Sequence, residues 1–155
     1  MGGALGQASF TEWCDPGSPL TQCEDSTTAW KLFLGYRFNA YVGAEASFIQ
    51  WGKVTASTAS ASASAEQRSY GLAGVGSFEI GGGFAAFGKL GILLNEQTTR
   101  RVSPNPSTVN RDDTAVHYGV GARYAFPRYV AVRAEWEKTE KLEAQLLSIG
   151  AEYRF

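Results

Sequence analysis

The chain has few of the residues from which metal centres, membrane helices and nucleic-acid interfaces are built. Its 155 residues include one histidine and two cysteines, too few for the ligand sets of a zinc site. No stretch approaches the roughly 18 consecutive apolar residues of a membrane-spanning helix. The net charge of −1 excludes a strongly basic nucleic-acid-binding protein, and no glycine-rich phosphate motif opens a helix. We therefore expect no cofactor, no metal and no nucleic-acid partner.

What the chain does contain is glycine and aromatic residues. It has 18 glycines, four tryptophans, seven tyrosines and nine phenylalanines, a composition that suits strands with close backbone contacts. The length fits a single domain, residues 1–155. The mean hydropathy of −0.19 is compatible with a membrane barrel, because only alternate residues of each barrel strand face lipid.

Alternation of apolar and polar residues predicts eight strands, the clear ones about ten residues long and able to cross a bilayer when tilted. The strands are expected at residues 2–12, 28–38, 41–51, 68–80, 84–96, 116–126, 129–138 and 147–155. Short turns are predicted at 39–40, 81–83 and 127–128, and long polar loops at 55–64, a mobile run of Ala, Ser and Thr, and at 97–113. Glycines on both faces leave the parity of the fourth strand open. This alternation of connections is typical of an outer-membrane barrel.

The charged residues indicate which face of each strand meets lipid. On the second strand Trp30, Leu32 and Leu34 share one face and Lys31 lies on the other, and most strands repeat this separation. A soluble barrel has an apolar interior and a polar exterior. We expect the opposite here, because the charged residues all fall on the face opposite the apolar one, and a barrel in lipid has an apolar outside and a polar inside. Aromatic residues also gather beside the predicted turns, as they do in the interfacial girdles of membrane barrels.

Four segments carry a resemblance to a known family. They are residues 35–45 (GYRFNAYVGAE), 119–124 (GVGARY), 133–136 (RAEW) and 147–155 (LSIGAEYRF). In this order they resemble the transmembrane domain of OmpA-like outer-membrane proteins. The resemblance implies an all-β fold, an eight-stranded antiparallel up-and-down transmembrane β-barrel in the outer membrane of a Gram-negative bacterium. It also implies a narrow interior that holds salt bridges rather than a wide pore.

The resemblance predicts a charge network inside the barrel. Its expected members are Lys31, Arg37, Glu45, Lys89, Arg123, Arg133 and Glu135. Ala4 stands where the family commonly has lysine, and Arg123 where it commonly has glutamate, so we expect altered pairings in which Glu45 and Glu135 face the cations. Such pairing stabilises and closes a barrel, which favours a structural plug over a conducting path.

The two ends of the chain carry expectations about processing and assembly. No signal peptide precedes the first strand, and we interpret the chain as a mature sequence with an added Met1. The last strand has the alternating apolar pattern that looks like the signal read by the barrel-assembly machinery, an expected partner during biogenesis. The residues of this pattern are Leu147, Ile149, Ala151, Tyr153 and Phe155. We expect no peptidoglycan-binding domain within the chain.

The two cysteines predict a disulfide in the first long loop. Cys14 and Cys23 lie in a polar segment with eight residues between them, too many for a CxxC redox or zinc half-site. A bridge would stabilise the fold by about 2–3 kcal/mol and would imply an oxidising compartment. Two free thiols are the alternative.

Three functions remain open at the level of sequence. The first is a structural envelope component with a plugged interior and interacting surface loops, and the second is a narrow ion or small-solute channel. The third is a lipid A-modifying enzyme, which needs a nucleophile beside a base. The one histidine, His117, is predicted to face inward, and no serine or acid stands at an offset that suggests a triad, so we expect no enzyme.

Seven cations are predicted to ring the outer mouth, where they could bind lipopolysaccharide phosphates. They are Lys53, Arg68, Arg100, Arg101, Arg111, Lys138 and Lys141. The alternative is a solvated rim in which nearby acids, Glu137 among them, balance these charges. Outer-membrane lipid and lipopolysaccharide are the expected partners, and we expect a monomer.

Overall fold

The computed structural model describes the backbone of residues 1–10, 22–23, 26–58, 61–102, 107–127, 129–140 and 144–154, and side chains within 1–9, 27–52, 67–97, 112–127, 129–140 and 144–154. Eight long strands run through it: β1 (Gly2–Phe10), β2 (Ser26–Arg37), β3 (Val42–Thr58), β4 (Ala61–Gly81), β5 (Phe84–Val102), β6 (Ser107–Ala125), β7 (Val130–Thr139) and β8 (Ala144–Tyr153). The two-residue strand Gln22–Cys23 pairs with β3. None of the described residues forms a helix long and apolar enough to cross a membrane.

The eight strands form a closed ring. Each pairs antiparallel with its neighbour in sequence, and β1 also pairs with β8, from Gly2↔Glu152 to Phe10↔Ala144. Closure matters because hydrocarbon offers no water to satisfy the backbone groups of an open sheet edge. The predicted eight-stranded antiparallel up-and-down barrel is confirmed.

The alternating pattern places apolar side chains outside the ring and charged side chains inside it. On β2, Trp30, Leu32 and Leu34 are 40–56% exposed, whereas Lys31 and Phe33 are at most 6% exposed. The strands β7 and β8 alternate in the same way. The predicted sidedness is therefore confirmed for the described side chains.

The fourth strand also has its apolar side chains outside the barrel, although the glycines on both faces obscure this alternation in the sequence. Ser69 is buried inside the barrel, while Tyr70 and Leu72 are exposed on the outside. Gly71 points inward, where a Cβ would come within 2.8 Å of Leu93. A close approach between neighbouring strands therefore explains why glycine interrupts the inward face.

Short turns join the strands at one end of the barrel, where the sequence predicted them. Asn39 Oδ1 accepts hydrogen bonds from the backbone N–H groups of Tyr41 and Val42, both at 2.8 Å, which fixes the first turn. Residues 81–83 have φ values of 115°, 62° and 86°, in the left-handed region that favours glycine. In outer-membrane barrels the short turns face the periplasm.

The structure corrects the two predicted long loops. β3 continues to Thr58 and pairs with β4 as far as Thr58↔Ala61, and β5 and β6 pair as far as Arg101↔Ser107. The segments 55–64 and 97–113 were thus wrongly predicted as loops, apart from residues 59–60 and 103–106, which lie outside the described part. The prediction depended on side-chain polarity, but ladder hydrogen bonds join backbone groups and persist where both faces meet water.

Candidate functional site

Charged side chains from several strands meet in the middle of the barrel. Lys31 Nζ on β2 donates hydrogen bonds to Glu135 Oε1 at 2.6 Å and to Glu137 Oε2 at 2.9 Å, both on β7. Lys89 on β5 contacts the same two carboxylates, and its Nζ lies 3.3 Å from Glu45 Oε1 on β3. The four strands β2, β3, β5 and β7 are thereby tied together across the lumen.

Arg133 on β7 completes this group. Its Nη1 donates a hydrogen bond to Glu45 Oε2 at 2.7 Å, and its Nη2 contacts Glu135. Its guanidinium carbon lies 4.3 Å from the ring centroid of Phe33 and 4.5 Å from that of Phe87, within cation–π range. The two rings hold the guanidinium plane while its edge reaches the carboxylates.

These six residues form the central network, which is electrically balanced. Its members are Lys31, Glu45, Lys89, Arg133, Glu135 and Glu137, three cations and three carboxylates. Each of these side chains is at most 6% exposed. Removing such charges from water costs several kcal/mol per ion, so their burial depends on complete pairing.

The local sequence explains how the network fits in a narrow barrel. Arg133, Glu135 and Glu137 alternate along β7, and the period of two puts all three on the inner face. The adjacent strand β6 offers glycine opposite them. A Cβ on Gly119 would lie 3.2 Å from Lys89 Cε, so the missing side chain leaves the lysine its space.

An apolar layer lies on the loop side of the central network. Its members, all at most 1% exposed, are Ala8, Ala29, Ile49, Trp51, Leu93, Ala144 and Leu146. Ile49 follows Glu45 on the inner face of β3, and Leu93 follows Lys89 on the inner face of β5, each in the direction away from the short turns. Among the described residues, the charged network and the apolar layer thus follow one another along the lumen.

A hydrogen-bonded chain holds the large side chain of the apolar layer in place. Trp51 Nε1 donates to Ser69 Oγ at 2.6 Å, and Ser69 Oγ donates to Asn95 Oδ1. A buried indole N–H needs such a partner. The hydrogen bonds thus let the buried layer hold a tryptophan rather than an aliphatic residue.

On the other side of the network the interior opens into a cavity of about 360 Å³. We call this space the periplasmic cavity, because it lies at the end with the short turns. Its charged lining residues are Arg37, Glu45, Arg123, Arg133, Glu152 and Arg154. Glu45 and Arg133 belong to the central network as well, so the network forms the inner end of the cavity.

Two residues that we predicted in the network lie in the periplasmic cavity instead. Arg37 is exposed, and Arg123 Nη1 is 3.9 Å from Glu152 Oε1. We expected Glu45 and Glu135 to face Lys31, Lys89, Arg123 and Arg133 and left the pairings open; Lys31, Lys89 and Arg133 contact these carboxylates, and Arg123 lies near Glu152 instead. The register places Arg123 beside Arg133, which takes both carboxylates, and like charge keeps a second guanidinium away.

Glu137 is a member of the central network that was not among its predicted residues. The alternative of a solvated rim included it, whereas it is 2% exposed and contacts Lys31 and Lys89. The parity of β7 carried the correct signal, since Glu137 shares a face with Arg133 and Glu135.

The remaining predicted residues lie partly outside the described chain. Arg68 on β4 points outward and is exposed, and Lys138 on β7 points outward and is half-buried. The side chains of Lys53, Arg100, Arg101, Arg111, Lys141, Cys14, Cys23 and Phe155 are not among those described. Leu147, Ile149, Ala151 and Tyr153 are exposed on the lipid-facing side of β8. The disulfide, the assembly signal and the lipopolysaccharide contacts stay predictions.

His117, the candidate base of an enzyme, is buried inside the barrel. Its Nε2 lies 3.5 Å from Glu137 Oε1, and its side chain is 1% exposed. The described residues contain no cluster of His, Cys, Asp and Glu that could hold a metal ion. The imidazole therefore borders the central network, and does not face lipid.

Fold and side-chain arrangement together define a class of protein. A closed antiparallel ring with a lipid-compatible exterior and a charged interior is a transmembrane β-barrel. All 155 residues match the family model described as outer membrane protein beta-barrel domain, so the chain belongs to that family of the bacterial outer membrane. None of the curated protein sequences compared with the chain matches it.

Solved structures similar to the chain are outer-membrane barrels. The attachment invasion locus protein Ail of Yersinia pestis is 19% identical, with a TM-score of 0.63, over 99% of this chain and 97% of Ail. Neisserial surface protein A is 15% identical, with a TM-score of 0.68, over 99% and 94%. The N-terminal β-barrel domain of Pseudomonas aeruginosa OprF is 13% identical, with a TM-score of 0.63, over 99% and 97%. At these identities the likeness shows the fold.

Proposed function

We propose that the protein is a closed structural component of the outer membrane that presents its loop end at the cell surface. The observation that carries this proposal is the pair of barriers in series, the central network and the apolar layer. A hydrated ion would have to break buried salt bridges and then cross a dry apolar zone, and each step is costly. Under this proposal the resting barrel does not conduct ions, so it is not a narrow channel.

Planar-bilayer conductance tests this closure. We expect no conductance steps from the wild-type barrel, and none from Trp51→Ala or Glu135→Gln alone, because each single change leaves one barrier intact. The double variant should show small steps. Trp30→Ala, which removes a tryptophan from the lipid-facing side, is the matched control and should stay silent when combined with Glu135→Gln.

A single-step conductance from the wild-type barrel would contradict the closure and support the channel. Steps from Glu135→Gln alone would show that the salt bridges are the whole barrier. All variants must first show the heat-modifiable gel mobility of a folded barrel, so that silence is not mistaken for misfolding.

We also propose that the outward-facing cations near the loop end bind lipopolysaccharide phosphates. Arg68 and Lys138 point outward from β4 and β7, and this orientation supports a contact with lipid headgroups. Ail has been solved in complex with the heparin analogue sucrose octasulfate, and a polyanion on a similar fold supports an interaction of this class. The outer surface of the barrel would then bind the lipopolysaccharide molecules that surround it.

The lipid proposal predicts a stability difference between two kinds of bilayer. Lipopolysaccharide should stabilise the wild-type barrel relative to neutral phospholipid, and the variant Arg68→Gln with Lys138→Gln should lose about 2 kcal/mol of that gain, at about 1 kcal/mol per cation. Denaturant unfolding in both bilayers measures it. Arg154→Gln, at the periplasmic end, is the control, and an equal loss there would refute a specific contact.

A further inference from the structure

The periplasmic cavity is a blind pocket. Its volume is about 360 Å³, and its inner end is closed by Glu45 and Arg133, which are joined to each other at 2.7 Å. Arg37 and Arg154 stand at its mouth, and the Arg154 side chain is 39% exposed. A solute can therefore enter only from the periplasmic side.

The pocket holds a buried guanidinium with too few acceptors. The Arg123 side chain is 10% exposed, and its Nη1 lies 3.9 Å from Oε1 of Glu152. Within the described part of the chain, Arg123 Nε and Nη2 have no hydrogen-bond partner. An arginine has five donors, and buried donors left without acceptors are costly.

The other charges around Arg123 do not make up this deficit. Arg154 Nε donates to Glu152 Oε1 at 3.4 Å, so one carboxylate serves two guanidinium groups. Arg37 and Arg154 repel Arg123, while Glu152 and the exposed Glu79 attract it. Three cations thus face two carboxylates, and the Glu45–Arg133 pair adds no net charge. The pocket is positive overall.

Part of the wall is apolar and aromatic. Phe33, Phe87 and Val75 line the cavity, and the first two rings already sandwich Arg133. An inorganic ion would leave these surfaces in contact with water. An anion with an apolar body would cover them, and the burial of that body would add to its affinity.

We propose that the periplasmic cavity binds a small organic anion, a carboxylate or phosphate monoester on an apolar or aromatic body. The oxyanion meets the Arg123 and Arg37 guanidinium groups, which suit planar, charge-assisted hydrogen bonding to such groups. The apolar body lies against the Phe33 and Phe87 side of the pocket. The ligand occupies the inner half of the barrel and does not pass through it.

Titration with phenyl phosphate, followed by NMR of the folded barrel in lipid nanodiscs, tests the proposal. We expect saturable shifts of backbone amides that line the cavity, such as those of Gly35, Gly43 and Ser77. Inorganic phosphate should bind more weakly, and phenol should not bind. Equal affinity for phosphate and phenyl phosphate would overturn the organic-anion assignment, and binding of phenol would overturn the role of the charges.

Charge-removing variants locate the site. Arg123→Gln should weaken phenyl phosphate binding about tenfold, the factor expected for one charge-assisted hydrogen bond. Arg37→Gln should weaken it less. Because Arg37 is exposed, that variant folds even if Arg123→Gln does not, and an unchanged affinity in Arg37→Gln would then count against the proposal. Lys138→Gln, at the opposite end, should bind as the wild type does.

Discussion

Glu135→Gln should destabilise the barrel by about 3–5 kcal/mol, the cost of removing one partner from a buried ionic group. Glu135 contacts all three cations of the central network, Lys31, Lys89 and Arg133. The neutral amide would leave the network with an excess positive charge in a place that water hardly enters. Urea unfolding in lipid vesicles, read by gel mobility and tryptophan fluorescence, measures the loss.

Glu140→Gln is the matched control for this prediction. Glu140 is exposed at the loop end of β7, so the same chemical change removes no buried partner and should alter stability by less than about 0.5 kcal/mol. Equal effects of the two substitutions would show that the network contributes nothing beyond net charge. A second substitution, Lys89→Met in the Glu135→Gln background, should recover part of the loss by restoring the balance of charge.

Leu90→Arg should cost about 2–4 kcal/mol, the penalty for arginine on the lipid face at the membrane midplane. Leu90 is 64% exposed on the outside of β5 and lies midway along the apolar part of that strand. Ile80→Arg provides the depth control. Ile80 is 67% exposed but stands beside the periplasmic turn, where arginine costs about 0–1 kcal/mol.

The comparison of Leu90→Arg with Ile80→Arg tests both which face of the barrel meets lipid and how deep each residue lies in the bilayer. Unfolding in phospholipid vesicles gives both free energies. Similar small costs at both sites would mean that the outer face near Leu90 meets water, and the lipid-facing assignment would fail. Large and equal costs would place the turns deeper in the bilayer than the geometry implies.

The fold was predictable because the membrane imposes a period on every strand. Alternation located the strands and put Lys31, Glu45 and Arg133 on the inner face. Alternation alone does not say which face meets lipid, since a soluble barrel alternates too. The placement of the charged residues on one face decided that question, and the aromatic residues beside the turns and the family resemblance supported the answer.

The pairing of charges was less predictable. The alternation along a strand shows whether a side chain points into the barrel, but not at which level along the barrel axis it lies. Arg123 and Arg133 both point inward, but only the register between β6 and β7 shows that they are neighbours. To place Glu137 in the network, one would have to know that the inner face of β7 stays buried as far as its loop end. The apolar layer was missed because Ile49, Trp51 and Leu93 come from different strands, so no segment of sequence displays it.

The unequal strand lengths give the outer rim a high side and a low side. β6 pairs with β7 only from His117↔Thr139 onward, so its residues 107–116 extend past the described end of β7 by about 34 Å measured along the strand. The neighbouring β3, β4 and β5 extend with it, while the described parts of β1, β7 and β8 end nearer the membrane. Among the described residues, a molecule arriving from outside therefore meets strands of unequal height around the circumference, and the taller ones offer it exposed backbone and side chains on one half only.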